Sequence, residues 1–380
     1  MRTIIIGGGI GGLCAAIALR SRGIDAEVYE KSAVHKEVGA GISLWPNAVK
    51  ALVRLGLGDA LDSINFAPEH FALRRQNGAT ISVTDSMEMK NRFGSGVTVL
   101  HRADLLAMLA ERLGTDHIHL GHECSGFDED QNGVAVKFTN SEAVKGDILI
   151  GADGIRSAVK TLLGHHDPLR YSGYTAWRGV AQFDHSNFTP GETWGRGKRF
   201  GMLPIQNGRV YWYATANVPE HESDPPEGPE ALLLSLFRAW HEPIEKLIRA
   251  TGAIILRHDV YDRRPLRSWG RGRVTLLGDA AHPMTPNLGQ GACQGIEDAM
   301  ELARQLAVGP DIERSLRTYE AARIPRTARI VVESRRLGAI GQWNSLPLCW
   351  LRDLAFSVAP KSAALRSFAP IIAYEEHLAD

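Results

Sequence analysis

Gly7-Gly8-Gly9-Ile10-Gly11-Gly12 stands between a short apolar run, Thr3 to Ile6, and a predicted helix from Leu13 to Arg22. A second predicted strand, Ala26 to Tyr29, ends at Glu30. An order of strand, glycine turn, helix and strand, with an acidic residue about 20 positions further on, is the context in which a G-x-G-x-x-G pattern binds a dinucleotide. The stretch therefore predicts a Rossmann-like βαβ unit, and with it an α/β fold.

The glycines of this turn have different predicted tasks. Gly7 allows the tight turn, Gly9 lets the backbone approach a pyrophosphate, and Gly12 permits close packing of the helix. The first amide groups of the helix face the phosphates, and Glu30 can accept hydrogen bonds from a ribose diol. The residues predicted to bind the cofactor in this unit are Gly9, Gly11, Gly12, Leu13, Glu30 and Lys31.

Two Gly-Asp motifs follow further along the chain, each directly after an apolar strand. Gly151-Ala152-Asp153-Gly154 comes after Ile148-Leu149-Ile150, and Gly278-Asp279-Ala280-Ala281-His282-Pro283 comes after Val274 to Leu277. One such aspartate commonly caps a helix. Two of them at strand ends, in a chain that opens with a glycine turn, favour contacts with ribityl and ribose hydroxyls. The three motifs together predict one large bound nucleotide.

The loop after the second Gly-Asp motif leads into another predicted helix. Pro286-Asn287-Leu288-Gly289-Gln290-Gly291 precedes a helix that we expect to begin near Ala292. The start of a helix carries a partial positive charge, so this loop directs it toward an anion such as a reduced isoalloxazine.

The length and the residue pattern indicate more than one domain. A chain of 380 residues is expected to form about two domains. Aromatic-rich β segments at Tyr174 to Val180, Phe200 to Leu203 and Val210 to Thr215 indicate a separate sheet, and apolar spacing predicts a helix from Ala231 to His241. The predicted division is a discontinuous nucleotide domain (1–70, 97–165 and 262–330), a β-sheet domain (71–96 and 166–261) and a C-terminal helical segment (331–380).

The composition argues against several classes of protein. Forty-three basic residues balance forty-three acidic ones, so nucleic acid is not an expected partner. The four cysteines are scattered without metal-ligand spacing, which predicts packed thiols, no metal site and a reducing compartment. The glycines near the start argue against a secretory signal, and Leu346 to Pro360 is too short and too charged to span a bilayer. We expect a cytoplasmic protein.

The combined motifs resemble those of the single-component, class A flavoprotein monooxygenases, over almost the entire chain. The segments that carry the resemblance are Gly7-x-Gly9-x-x-Gly12, Glu30, Gly39-Ala40-Gly41-Ile42, Arg102 and the two Gly-Asp motifs. The resemblance implies a Rossmann-like FAD-binding domain of glutathione-reductase type. It also implies an inserted β-sheet substrate domain, as in p-hydroxybenzoate hydroxylase, followed by C-terminal helices.

The resemblance further implies a reaction cycle and roles for individual residues. NADH or NADPH reduces FAD without a second Rossmann domain, O2 adds at flavin C4a, and the hydroperoxide transfers oxygen to an electron-rich substrate. Glu30 would hold the adenosine ribose, Arg102 the pyrophosphate and Asp279 the ribityl chain. Asp153 would face both FAD and the pyridine nucleotide. His282 could act as a base, but the resemblance implies a structural role for it within its motif. The residues assigned to the flavin ring lie between Pro286 and Ala292, namely Pro286, Gly289, Gln290, Gly291 and Ala292, and Gly41 is a further predicted cofactor-binding residue.

Within that family, the segments Tyr171 to Arg178, Gly195 to Arg199 and Pro286 to Gly291 look most like the 2-alkyl-4-quinolone 3-hydroxylase branch, and urate hydroxylases and zeaxanthin epoxidases share parts of the same pattern. The resemblance makes Arg199, Tyr211 and Pro286 the candidate catalytic residues. Arg199 could stabilise an oxyanion, or it could be a solvated strand arginine. Tyr211 and Tyr213 alternate along one strand and share a face opposite Trp212, but the pattern does not decide which face lines a cleft.

Asn287 stands where the urate enzymes have an aspartate, so urate is not the expected substrate. We expect hydroxylation of a small aromatic or N-heteroaromatic ring resembling a quinolone, by a monomer or homodimer that uses O2 and NAD(P)H. Two alternatives stay open. One is epoxidation of an isoprenoid double bond, and the other is a non-catalytic FAD-binding protein, against which the intact loop from Gly278 to Gly291 argues.

Overall fold

The strand Arg2–Ile6 lies at the centre of a five-stranded parallel sheet. Its isoleucines are buried, as expected for a parallel sheet that is covered on both faces. In spatial order the strands are Val274–Leu276, Ile148–Gly151, Arg2–Ile6, Asp25–Glu30 and Ile118–Leu120. The carboxyl ends of parallel strands meet at one edge, so the glycine turn and both Gly-Asp motifs lie together at this edge.

The helix after the glycine turn is Ile10–Arg20, and it begins three residues earlier than predicted. Gly9 takes the position before its first turn, with an extended backbone, so Gly11 and Gly12 lie inside the helix. The computed structural model describes residues 1–34, 40–186, 188–252, 254–309, 311–359 and 361–373. Gly39, part of the Gly39-Ala40-Gly41-Ile42 motif, lies outside these ranges.

A seven-stranded sheet forms the second layer of the molecule. In spatial order its strands are Leu256–Asp262, Arg170–Gln182, Arg209–Ala216, Lys198–Ile205, Gly191–Trp194, His70–Arg75 and Thr80–Asp85. One face carries Trp177, Phe200 and Trp212, which pack under the helices Pro229–Leu236 and Ile244–Arg249. The separate aromatic sheet predicted from sequence is therefore present. The exact division of the chain into domains stays a prediction.

Smaller elements complete the fold. A three-stranded sheet contains Cys124–Asp130, Gly133–Phe138 and Val144–Gly146, and a two-stranded sheet pairs Gly41–Leu44 with Thr98–His101. The remaining α-helices are Pro46–Arg54, Gly58–Ile64, Ser86–Phe93, Arg102–Leu113, Ala158–Leu162, Gly291–Val308, Ile312–Gly341, Leu346–Val358 and Lys361–Ile372. Short 3-10 turns form at Thr115–His117, Gly278–Ala280 and Pro286–Leu288.

The predicted helix from Ala231 to His241 is wrong at its carboxyl end. The helix ends at Leu236, and Ala239 has a positive φ of 62° that an α-helix does not allow. The turn brings the His241 amide to the carbonyl of Gln76, at 3.1 Å. A contact between segments so far apart in sequence therefore ends the helix, although Leu232, Leu236 and Trp240 have helical spacing.

All four cysteines are buried and free, as the sequence predicted. Among the described helices, none combines the length and the apolar character that crossing a membrane requires.

Candidate functional site

A cavity of ≈ 270 Å³ opens at the edge of the five-stranded sheet where the motifs meet. The predicted residues Gly9, Glu30, Lys31 and Asp153 line it. His122, Cys124 and Arg156 border the same space and were not predicted. The cavity thus brings the glycine turn, the end of the second strand and the first Gly-Asp motif to one position, as a dinucleotide site requires.

The glycines at this edge are explained by what a side chain would meet. A Cβ on Gly7, where φ is 112°, or on Gly12 would overlap a backbone carbonyl oxygen, that of Ala152 or of Gly7 respectively. A Cβ on Gly11 would lie 2.7 Å from the side chain of Leu277. Gly9 alone of these has open space beside it. Gly9 is therefore the glycine beside which a pyrophosphate would find room, while the others serve the turn and the packing.

Glu30 is fixed in place before any ligand is considered. Its carboxylate accepts hydrogen bonds from the amides of Gly8, at 2.8 Å, and Ser32, at 2.9 Å. Leu13 is fully buried, and its amide donates to the Gly9 carbonyl at 3.0 Å. Leu13 therefore has no side-chain atom at the cavity, so any cofactor contact it makes would have to come from its backbone.

Asp153 combines a capping role with its position at the cavity. The Ser157 hydroxyl donates to Oδ1 at 2.5 Å, and the Ala158 amide donates to Oδ2 at 2.6 Å, so the carboxylate holds the start of the helix Ala158–Leu162. Burial raises the pKa of Asp153 above its usual value, and these hydrogen bonds oppose the rise. The capping alternative is thus present in the structure, and a contact between Asp153 and a nucleotide stays a prediction.

Asp279 and Arg102 lie close enough for their charges to interact. Both side chains are accessible to solvent, although protein surrounds them on most sides. Desolvation by these surroundings raises the pKa of Asp279, and the charges of His282 and Arg102 oppose the rise. Among the described residues no group hydrogen-bonds to the Asp279 carboxylate. An accessible acceptor without a partner, beside a guanidinium, is suited to a ligand that carries hydroxyl and phosphate groups.

The loop from Pro286 to Gly291 lies beside Asp279. Gly289 has a φ of 61°, and a Cβ there would lie 2.6 Å from Nε1 of Trp45. A Cβ on Gly291, the first residue of the helix Gly291–Val308, would lie 3.9 Å from Oδ1 of Asp279. The predicted flavin-end residues Pro286, Gly289, Gln290, Gly291 and Ala292 are therefore brought together with Asp279. Their contacts with FAD stay predictions.

His282 has a structural environment. It is 2% exposed, and its Nε2 lies 2.6 Å from Oδ2 of Asp298. Asp298 also accepts hydrogen bonds from the Gly278 amide at 3.0 Å and from Nε of Arg323 at 2.6 Å. The Asp298 carboxylate thus binds both the buried imidazole and the backbone of the motif. Together these contacts fix the Gly-Asp turn. This supports the structural role over a catalytic one.

Arg199 is not a solvated strand arginine, because it is only 4% exposed. Its Nε donates to Oε1 of Gln342 at 2.9 Å, and its Nη2 donates to Oδ1 of Asn287 at 2.7 Å. Burial would lower the pKa of the guanidinium, but the nearby carboxylate of Glu192 outweighs this and the pKa is raised. A permanent positive charge is therefore held between the seven-stranded sheet and the loop from Pro286 to Gly291.

The structure decides which face of the strand Arg209–Ala216 lines the cleft. Trp212 is fully buried in the core under the helices. Tyr211 lies on the opposite face, against Gly41, where a Cβ would overlap its ring. Tyr213 shares that face and is partly accessible, and Tyr174 donates a hydrogen bond to Oδ1 of Asn287 at 3.1 Å. The tyrosine face is therefore the cleft face.

Sequence reasoning missed three polar residues of this cleft. Glu192 lies beside Arg199, Gln342 holds its Nε, and Arg178 acts on the Tyr211 hydroxyl. Gln342 comes from the end of a helix far along the chain, so no local signal indicates it. Gly201, a glycine inside a strand, could have indicated that another group approaches here, and Glu192 is its pairing partner on the next strand.

The parallel sheet carries a dinucleotide site, and the loop from Pro286 to Gly291 joins this site to the aromatic and polar face of the second sheet. This arrangement defines the class of FAD-dependent hydroxylases. A family model described as an FAD binding domain matches residues 1–334. The aurachin C monooxygenase/isomerase of Stigmatella aurantiaca is 41% identical over 357 residues, 93% of each chain. An FAD-dependent urate hydroxylase of Klebsiella pneumoniae is 36% identical over 363 residues, 93% of this chain and 94% of its own.

The solved structures show the same relationship. The crystal structure of Klebsiella pneumoniae HpxO complexed with FAD and uric acid matches with a TM-score of 0.93 and 33% identity, covering 98% of this chain and 96% of that one. The chain belongs to the FAD binding domain family and is an FAD-dependent monooxygenase. The fold class and FAD predicted from the sequence are confirmed.

Proposed function

We propose that this protein hydroxylates a small N-heteroaromatic ring, using FAD, NADH or NADPH, and O2. The observation that supports this most is the composition of the cleft between the loop from Pro286 to Gly291 and the seven-stranded sheet. Tyrosine rings line it, the guanidinium of Arg199 lies at its wall, and Asn287 joins the loop to Arg199. A flat ring can stack or pack against the tyrosines while its polar atoms meet the charged groups.

The relatives support a heteroaromatic substrate. The HpxO structure contains uric acid, an N-heterocycle, together with FAD. In this chain Asn287 stands where the urate enzymes have an aspartate. The loop therefore presents no negative charge at this position. A ring less polar than urate, such as a quinolone, suits a wall that combines tyrosine rings and the Asn287 carboxamide with the guanidinium of Arg199. Epoxidation of an isoprenoid is the weaker alternative, because no described feature favours it.

Different groups of residues would bind the two ends of the cofactor. Gly9, Glu30 and Lys31 border the space for the adenosine end, and Arg102 and Asp279 offer charges to the pyrophosphate and ribityl groups. When bound, FAD supplies the oxygen-transfer chemistry. Tyr211, lying on Gly41, and Asn287, held by Arg199, would position the substrate ring at the flavin end. We also propose a cytoplasmic location and a monomeric or homodimeric state.

The test begins with the purified protein. It should be yellow and should oxidise NADH or NADPH faster when a quinolone is added, and mass spectrometry should find a product with one added oxygen atom. A panel of quinolones, phenols and purines identifies the ring class. A colourless protein that binds no flavin, or a flavoprotein whose oxidation of NADH and NADPH responds to no member of the panel, would contradict the proposal.

A further inference from the structure

Glu192, Gly201 and Tyr213 lie side by side across three neighbouring strands. Glu192 pairs with Gly201, and Gly201 pairs with Tyr213. Residues paired in this way point to the same face of a sheet. Because Tyr213 is on the cleft face, Glu192 is there too. Both side chains are partly accessible, so each can meet a molecule in the cleft.

Gly201 allows the ring of Tyr213 to reach across its strand. A Cβ at this position would overlap the ring and would lie 2.7 Å from the hydroxyl oxygen. The phenol end of Tyr213 therefore lies directly over the backbone of Gly201. This places the hydroxyl toward the next strand, which carries Glu192, and glycine is the residue that leaves the space.

The charges around Tyr213 decide how its hydroxyl is oriented. The groups that act on it are Glu192, Arg199 and Tyr211. Burial, followed by the negative charge of Glu192, raises the pKa of Tyr213 well above its usual value, so the phenol keeps its proton. An ionised carboxylate can only accept a hydrogen bond. In a hydrogen bond between these two side chains the Tyr213 hydroxyl is therefore the donor, which leaves its lone pairs for a group in the cleft.

Glu192 has room for this donor. Its Oε1 lies 3.3 Å from Nη1 of Arg199, but the geometry is not that of a hydrogen bond, and this buried oxygen has no hydrogen-bond partner within the described chain. The nearby guanidinium keeps the carboxylate in an ion pair. The side chain is 22% exposed, which leaves a route for a proton between Glu192 and solvent.

We propose that Glu192 and Tyr213 form a proton relay for the substrate, selecting rings with an N–H or enol O–H conjugated to the carbon that is hydroxylated. The substrate proton passes to the Tyr213 oxygen as the Tyr213 proton passes to the Glu192 carboxylate. One N–H or O–H bond of the substrate and the Tyr213 O–H bond break, while a new Tyr213 O–H bond and a Glu192 O–H bond form. The electron pair stays on the ring, which becomes an anion and a stronger nucleophile.

Tyr211 complements this arrangement. Its hydroxyl interacts with Arg178, and a guanidinium can only donate. The Tyr211 hydroxyl therefore accepts from Arg178 and has its proton for the cleft, whereas Tyr213 offers a lone pair. The two rings are 6.0 Å apart between centroids. A donor and an acceptor so close together match a heterocycle with a carbonyl oxygen and an N–H, as in a 4-quinolone. The inference rests on the proposed function and names the chemical group that the same site recognises.

The test uses 2-methyl-4(1H)-quinolone and its N-methyl derivative, which lacks the N–H. In Glu192→Gln, kcat for the N–H quinolone should fall about 100-fold, as expected when a general base is lost. Flavin content should stay at the wild-type level. The wild type should prefer the N–H quinolone strongly, and this preference should collapse in the variant.

Tyr213→Phe is the second variant, and it should lose the same preference with little change in quinolone binding measured by flavin absorbance. Glu245→Gln and Tyr171→Phe, which change a surface glutamate and a tyrosine hydroxyl bonded to the Val218 carbonyl, should leave kcat and the preference unchanged. If the wild type hydroxylates the quinolone and Glu192→Gln keeps both its rate and its preference, the relay is wrong and the proposed function stands. If the flavin-loaded wild type hydroxylates neither probe, the proposed ring class is wrong and the relay falls with it.

Discussion

Nη2 of Arg199 donates a hydrogen bond of 2.7 Å to the amide oxygen of Asn287. The two residues are 88 positions apart, and the bond joins the seven-stranded sheet to the loop that follows the second Gly-Asp motif. The other side of the same amide donates to Oγ1 of Thr285 at 2.8 Å and to the carbonyl of Ser334 at 3.0 Å. All the hydrogen-bonding directions of the amide group are thus used, and its orientation sets the distance between loop and sheet.

Asn287→Asp should destabilise the protein by about 1–3 kcal/mol, the cost of leaving a buried polar group without its partner. An aspartate would place a carboxylate oxygen against the Ser334 carbonyl, which can only accept a hydrogen bond. The attraction to Arg199 gains little in return, because Glu192 already pairs with this guanidinium. Chemical denaturation of the variant and the wild type, both loaded with FAD, measures the difference.

Asn77→Asp is the matched control. The Asn77 side chain accepts a hydrogen bond from the Ala79 amide at 3.1 Å and is exposed, so an aspartate keeps the contact and stability should not change. An Asn287→Asp variant that is as stable as the wild type would show that the amide orientation is not required.

Much of the nucleotide-binding half could be predicted because its signals are local. The glycine turn, the strand Arg2–Ile6 and the two Gly-Asp motifs each fall within a few residues, and parallel strand ends bring them together. The sequence predicts a later helix start than the structure has, because glycines normally disfavour a helix, whereas Gly11 and Gly12 are required here by close packing.

The substrate cleft was harder to predict because its contacts join distant segments. The sequence does not indicate that Arg199 contacts Asn287 or Gln342, because these residues are 88 and 143 positions away from it. Strand alternation put Tyr211 and Tyr213 on one face, but only packing of the helices on Trp212 shows that the other face is the core. Sequence reasoning missed Glu192 because strand pairing, and not any residue close to it in the sequence, places it beside Arg199 and Tyr213.

Gly41→Ala should lower flavin content and substrate-stimulated turnover. The added Cβ would overlap the ring of Tyr211, so the strand Gly41–Leu44 and the seven-stranded sheet must separate. Overpacking of this kind costs about 1–3 kcal/mol. The bound flavin per chain and the rate of NADH or NADPH oxidation with a quinolone measure the effect.

Gly58→Ala serves as the comparison for this substitution, because the nearest atom to a Cβ there is a Val53 methyl at 3.7 Å, an ordinary contact. It should bind flavin and turn over like the wild type. If Gly41→Ala does the same, Tyr211 is free to move away and does not fix the cleft.

Asp279→Ala should weaken FAD binding about 10- to 100-fold, since a hydrogen bond to a charged group contributes about 1.5–3 kcal/mol. The apoprotein should be as stable as the wild-type apoprotein, because among the described residues no group hydrogen-bonds to this carboxylate.

Asp311→Ala is the control, and it should behave in the opposite way. Asp311 caps the long helix Ile312–Gly341 by accepting from the Arg314 amide at 2.8 Å, so its loss should cost about 1 kcal/mol of stability and leave FAD binding unchanged. Titration of apoprotein with FAD, together with unfolding of the apoprotein, separates the two effects, and full flavin affinity in Asp279→Ala would refute the assigned contact.

The buried carboxylate of Asp298 should give the protein a specific sensitivity to acid. Although burial alone would raise its pKa, His282 and Arg323 lower it from 3.8 to about 2. A group whose pKa is depressed in the folded state stabilises the fold above its ordinary pKa, and this contribution is lost as the pH falls through the folded value. The free energy of unfolding should therefore decline between pH 3.8 and about 2 more steeply in the wild type than in Asp298→Asn. At neutral pH the variant should be less stable by about 3 kcal/mol, because Arg323 and His282 lose a buried partner. Urea unfolding at a series of pH values measures both quantities, and equal acid slopes in the two proteins would show that Asp298 does not carry this dependence.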